Sequence, residues 1–236
     1  MSEIIPAILP EDFVDLEEKL GLVVGRVPMV HVDVMDGSFT PKSAWPYKDS
    51  QEEFLRITEE MEGFPYWEDV SFEAHLMVKD PEAIAEDWIK AGAERLIVHY
   101  ESFEDKDGLS RFLSAMRNKF TTASSYLGIE VGLAVNLETS MEKLMPHVLE
   151  ADFIQIMSIG KLGQQGGKFE SEVLEKIKVL KAEYPDTILS IDGGVTLEVA
   201  EELSSVSIDR LVVGSAIYGL DDPEEALYDF LELEHS

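Results

Sequence analysis

Four side chains in three short stretches have the types that bind a divalent cation or move protons. They are His31 and Asp33 in HVDVMDG (31–37), His75 in EAHLMV (73–78) and Asp192 in SIDGG (190–194). Taken singly, each has a plainer job. A strand histidine is commonly a hydrogen-bonded core residue, and an Asp before Gly-Gly commonly forms a turn. Taken together they raise an energetic problem. An unpartnered buried carboxylate costs roughly several kcal/mol, and four polar groups at the same end of three strands multiply that cost. One shared cation removes it. Nitrogen and oxygen donors of this kind suit Zn²⁺, Mn²⁺, Fe²⁺ or Co²⁺. The chain has no cysteine, so thiolate sites and disulfides are excluded.

Strands must position these groups. Side chains alternate along a strand, so Val30, Val32 and Val34 share one face and His31, Asp33 and Met35 share the other. Apolar runs rich in β-branched residues recur at 4–9, 29–35, 71–78, 95–100, 129–135, 152–158, 187–192 and 210–215. Helix-like segments lie at 10–20, 81–92, 140–148, 171–184, 197–205 and 223–234, and Pro beside acids marks helix starts at 80–83 and 221–226. Alternating β and α elements imply a parallel sheet. About eight such units in 236 residues match a closed (β/α)₈ TIM barrel, one domain over residues 1–236. The rival is an open doubly wound sheet, which the lack of GxGxxG after the first strand disfavours. Stretches 36–70 and 159–169 read as loops, the first with a short helix around EEFLRITEEM (52–61).

Barrel enzymes place reacting groups at the C-terminal strand ends. Glycines cluster at the same ends: Gly166 and Gly167 after the sixth strand, Gly193 and Gly194 after the seventh, Gly214 with Ser215 after the eighth. Glycine lets backbone N–H groups approach an anion such as phosphate closely. The formal charge of −29 argues against nucleic-acid and anionic-membrane partners. Oriented amides and a cation are what would let so acidic a chain attract a phosphate. No apolar run approaches the ~20 residues of a transmembrane helix, and the N-terminus lacks a basic-then-apolar signal pattern. A cytoplasmic location is expected.

HVDVMDGSFTP (31–41), EAHLMV, QIMS (155–158), SIDGG and LVVGSAIYG (211–219), in this order, resemble the ribulose-phosphate 3-epimerase family. The resemblance runs from PAIL (6–9) to SAIYG, most of the chain. It implies a ribulose-phosphate-binding (β/α)₈ barrel that interconverts ribulose 5-phosphate and xylulose 5-phosphate. It implies that His31, Asp33, His75 and Asp192 hold one divalent metal ion (Zn, Mn, Fe or Co), and that Asp33 and Asp192 form the acid/base pair. Met35, Met77 and Met157 match methionines that line the family's site. Gly193, Gly194, Gly214 and Ser215 match its phosphate loops. A phosphorylated sugar substrate and a homo-oligomeric state are further implications. The chemistry suits the residues: epimerisation beside a ketone removes a proton from one face and returns one on the other, which two carboxylates can do. A cation then stabilises the enediolate.

Three positions depart from the family pattern. Ala7 stands where a Ser is usual, Lys42 where an Asn is usual, and the longer GKLGQQGGKF (160–169) replaces a loop like NPGFGGQ, without its proline. All three concern substrate contacts. They leave open another sugar phosphate, such as a ketohexose 6-phosphate, or a phosphosugar-binding barrel without turnover. Lys42, Lys161 and Lys168 are candidates to meet phosphate. Asp36 is expected to shape its turn, Asn136 to line the mouth, and His99 to neighbour the site or pack in the core. His147 and His235 are expected on the surface.

Overall fold

The computed structural model describes residues 2–49, 51–120, 128–163 and 166–234. Among them eight parallel strands pair each with the next, and the first with the last, into a closed barrel. The first half runs β1 (Glu3–Ile8), α1 (Phe13–Val23), β2 (Met29–Met35), α2 (Glu52–Thr58), β3 (Ser71–Met77), α3 (Ala85–Lys90), β4 (Arg95–His99) and α4 (Lys106–Phe120). The second half runs β5 (Glu130–Val135), α5 (Met141–Leu144), β6 (Phe153–Met157), α6 (Val173–Glu183), β7 (Ile188–Asp192), α7 (Leu197–Ser204), β8 (Arg210–Val213), α8 (Ser215–Tyr218) and α9 (Pro223–Glu234). The expected (β/α)₈ barrel is therefore present. No helix among the described residues is long and apolar enough to cross a membrane.

Three local differences have physical reasons. The connection after β4 carries α4, which the sequence pattern does not predict. Its buried stripe is Leu109, Phe112, Leu113 and Met116, a helical spacing diluted by Gly108 and by polar residues between. The helix expected over 81–92 opens as a 3₁₀ turn at Pro81–Ala83 and becomes α-helical only at Ala85. The helix expected over 140–148 ends at Leu144 and tightens into a 3₁₀ turn, Met145–Glu150, around Pro146, which has no N–H to give.

The alternation on β2 is realised. Val30, Val32 and Val34 pack in the main apolar core with residues of the outer helices, such as Leu16, Leu20 and Trp88. His31 and Met35 are buried on the other face. Register then sets which inward groups meet. His31 is level with Glu73 and Asp33 with His75 across β2 and β3, and Met157 is level with Asp192 across β6 and β7. Below these groups the barrel is filled by Ile97, Ala134 and Phe153. Gly132 makes room for Phe153, since a Cβ there would lie 2.4 Å from the ring. Arg210 covers that ring, with its guanidinium carbon 4.6 Å from the ring centroid.

His147 corrects a surface expectation: it is 8% exposed. Its Nδ1 lies 2.7 Å from Glu150 Oε2, and its ring sits against Tyr100 at 5.8 Å. A carboxylate three residues on and an aromatic wall let the imidazole be covered without losing a hydrogen bond. His235 lies outside the described residues.

Candidate active site

His31, Asp33, His75 and Asp192 converge at the C-terminal end of the barrel. One ligand atom from each lies within 4.8 Å of all the others. His31 Nε2 is 3.0 Å from His75 Nδ1, 3.3 Å from Asp33 Oδ1 and 3.8 Å from Asp192 Oδ2. His75 Nδ1 is 3.0 Å from Asp33 Oδ1 and 3.5 Å from Asp192 Oδ2. Both imidazoles are fully buried, whereas the side chains of Asp33 and Asp192 keep 19% and 13% exposure. The carboxylates thus face the pocket with the imidazoles behind them.

The outer ring nitrogens have partners of their own. His31 Nδ1 donates to Glu73 Oε1 at 2.6 Å. His75 Nε2 meets His99 Nε2 at 2.8 Å, and His99 Nδ1 faces Glu101 Oε2 at 3.4 Å. With protons on His31 Nδ1, His75 Nε2 and His99 Nδ1, each of these three contacts joins one donor to one acceptor. The two inner nitrogens, His31 Nε2 and His75 Nδ1, are then lone pairs facing each other beside two carboxylates. That set is repulsive without positive charge at its centre, and it fits a divalent cation held by nitrogen and oxygen.

The electrostatics without a cation point the same way. Burial works against a charged His31, but hydrogen bonds to Asp33 and Glu73 outweigh it and raise its pKa well above the ordinary value. Burial lowers His75 and His99. Burial works against ionised Asp33 too, yet hydrogen bonds to His31 and His75 hold its carboxyl well below the usual range. Asp192 goes the opposite way. Burial pushes it up to about 7, and the neighbouring charge of Asp33 adds to the shift. The two carboxylates therefore differ in proton affinity: one is ionised and one holds a proton near neutrality.

The pocket above these groups is lined by Met35, Met77, Met157, Gly166, Gly167, Gly193, Gly194, Gly214 and Ser215, with Asp33 and Asp192 at its base. All nine lining positions expected from the sequence border it. Leu9, Ile159 and Leu162 add apolar wall that the sequence motifs do not single out, and Ala7 presents a methyl there. Leu162, in the unusual loop after β6, packs on Met35, Met77 and Ala44. Gly193 and Gly194 adopt φ of 112° and 66°. A Cβ on Gly194 would lie 2.5 Å from Phe169 N and 2.7 Å from Gly167 O, so the loops after β6 and β7 touch backbone to backbone.

The other candidates divide. Asp36 does shape its turn: it accepts from the N–H groups of Ser38 at 2.7 Å, Phe39 at 2.9 Å and Lys79 at 2.8 Å, joining the loops after β2 and β3. His99 stacks on His75 with centroids 4.9 Å apart. Asn136 lines a side cavity with Phe39 and Leu162. Lys42, Lys161 and Lys168 are exposed and none borders the pocket. The candidate site residues omit Glu73 and Gln155, although both stand inside quoted motifs. Both lie on inward positions two residues from a motif residue, and Gln155 Nε2 donates to Asp192 Oδ2 at 3.1 Å. The alternation that singles out His31 and Asp33 would have found them.

Comparison with known proteins follows the same line. The ribulose-phosphate 3-epimerase family model matches residues 3–218. The ribulose-phosphate 3-epimerase of Mycobacterium tuberculosis (strain ATCC 25618 / H37Rv) is 30% identical over 230 residues, covering 95% of this chain and 89% of that one. The enzyme of the same name from Bacillus subtilis is 29% identical, covering 96% and 97%. Among solved structures, 3-hexulose-6-phosphate synthase from Salmonella typhimurium superposes with a TM-score of 0.70 at 14% identity, covering 99% and 100% of the two chains, a likeness of fold. The chain belongs to the ribulose-phosphate 3-epimerase family, a family of isomerases.

Proposed function

We propose that this chain epimerises a phosphorylated ketose at the carbon beside its carbonyl, with ribulose 5-phosphate and xylulose 5-phosphate as the substrate pair. The observation that carries this reading is the meeting of two imidazoles and two carboxylates beneath a glycine-lined pocket, in a chain of this family.

His31 through Nε2, His75 through Nδ1, Asp33 and Asp192 would hold one divalent ion, with Zn²⁺, Mn²⁺, Fe²⁺ and Co²⁺ as the candidates. When bound, the ion supplies positive charge beside the substrate oxygens and lowers the energy of the anionic enediolate. The proton traffic belongs to the protein. Asp33 and Asp192 serve opposite faces of the substrate carbon: one, as carboxylate, takes the proton from its face, the other returns a proton to its own, and the reverse reaction swaps their roles. Gln155 holds Asp192 by its hydrogen bond. Met35, Met77 and Met157 give a polarisable wall with no N–H or O–H to compete for the enediolate. The backbone of Gly193, Gly194, Gly214 and Ser215, with Gly166 and Gly167 beside it, receives the phosphate, so that no lysine is required.

Gly194→Ala is expected to force the loops after β6 and β7 apart, since its Cβ meets backbone rather than a flexible side chain. The positive φ and the clash together cost about 1–3 kcal/mol. KM for the phosphorylated substrate should rise by about tenfold or more. Steady-state kinetics and a melting curve check both, and an unchanged KM would remove Gly194 from the phosphate site.

Ala7 and the altered loop favour a second reading in which the same centre acts on another sugar phosphate, such as a ketohexose 6-phosphate. A panel of phosphosugars in D₂O separates the readings. The first expects ribulose 5-phosphate to incorporate deuterium fastest. Faster incorporation by a ketohexose 6-phosphate supports the second. Binding without incorporation across the panel contradicts both and marks a binding barrel.

A further inference from the structure

Below the cation ligands, the barrel floor carries a chain of charged side chains that the proposed chemistry does not use. Glu73 is 1% exposed, and its two carboxylate oxygens point in different directions. Oε1 accepts from His31 Nδ1 at 2.6 Å. Oε2 faces Arg95 Nη1 at 3.2 Å. Arg95 is held in turn by Glu3 at 3.4 Å and by Glu130 at 3.3 Å. Both acids also pair with Arg210, at 3.4 and 2.8 Å. Strands β1, β3, β4, β5 and β8 are thereby tied beneath one imidazole of β2.

We infer that Glu73 is a positioning residue, which fixes His31 with its proton on Nδ1 and its lone pair on Nε2 aimed at the cation. The inference rests on the metal-site reading above and adds a residue to it. An imidazole has two tautomers, and only one of them presents Nε2 as a ligand. A neutral amide in place of Glu73 could either donate or accept. A carboxylate can only accept, so it selects the Nδ1–H form. Arg95 lends Glu73 a second, ionic reason to stay a carboxylate and to keep its place, so the choice is made by a rigid floor rather than by a free side chain. A carboxylate behind a ligating imidazole also makes the ligand nitrogen more basic.

The test is metal affinity, measured by competition with a chelator, together with melting of the metal-free protein. Wild-type protein is measured first. If it binds no divalent ion, the metal-site reading fails. If it binds one, Glu73→Gln is expected to bind it about 10–100-fold more weakly. Glu73→Asp keeps the charge near Arg95 but draws it back from His31, and should lose affinity in the same direction. A purely structural Glu73 would lower the melting temperature of the metal-free variants and leave the affinity of the folded protein unchanged, and that result would overturn the inference. A measurement on wild-type protein needs no variant to fold. ¹⁵N-detected NMR of the zinc-loaded protein should show His31 ligated through Nε2 with a hydrogen-bonded proton on Nδ1. Ligation of His31 through Nδ1 would also overturn it.

Discussion

Asp33→Asn and Asp192→Asn should each lower the epimerisation rate by about 10²–10⁴-fold, the usual worth of a positioned acid or base. Asn keeps the shape and one oxygen of Asp but neither takes nor holds a proton at neutral pH. Each residue serves one face of the substrate carbon, so the loss is in turnover rather than in substrate affinity. The residual chemistry should also be lopsided. A variant that keeps only Asp192 can exchange solvent deuterium into only the epimer whose proton faces Asp192, and Asp33 alone serves the other. Rates are compared at saturating metal, since both side chains are ligands. Epimerisation at near wild-type rate in either variant would dismiss the two-aspartate mechanism. Exchange into both epimers by one variant would do the same.

Stripping the metal should destabilise the fold as well as stop the reaction. A ligand present at a thousandfold excess over its Kd contributes about 4 kcal/mol to the folded state. In a chain of this size that is roughly 8–16 °C in Tm. The loss has a local cause: His31 Nε2 and His75 Nδ1 remain 3.0 Å apart beside two carboxylates with nothing to share. The metal-free chain answers by taking a proton on His31, whose pKa is raised. Metal must displace that proton, so affinity should rise with pH, by about tenfold per unit for each proton released. Asp192 adds a second proton below about pH 7. Titration calorimetry in buffers of different ionisation enthalpy counts the protons. A pH-independent affinity would place the metal elsewhere.

Much of the site is legible in the sequence because the barrel converts alternation into direction. Once His31 and Asp33 are placed on the face opposite Val30, Val32 and Val34, their meeting with His75 and Asp192 needs only the rule that strand ends converge. Glycines after three consecutive strands mark the pocket for a similar reason. Glu73 and Gln155 obey the same alternation, yet nothing in their types marks a role until register sets Glu73 level with His31 and the fold brings the Gln155 amide to Asp192. His147 looks exposed because Glu150 and Tyr100, which make its burial tolerable, are recognisable as partners only in three dimensions. The contacts of the loop after β6 have the same character. That Leu162 packs over Met35 and Met77, and that Gly194 touches the backbone of Gly167 and Phe169, depends on how two loops fold against each other. No periodicity encodes that contact. Helix α4 is a milder case, a helical stripe whose glycine and polar neighbours blur it.

Metal analysis of protein purified without chelator, in parallel for wild type and His31→Ala, bears most directly on whether four side chains from β2, β3 and β7 enclose one cation. About one equivalent of a transition metal per chain is expected in the wild type, with near-complete loss in the variant. A metal-free wild type that turns over fully, or a His31→Ala protein that retains its equivalent, would contradict it.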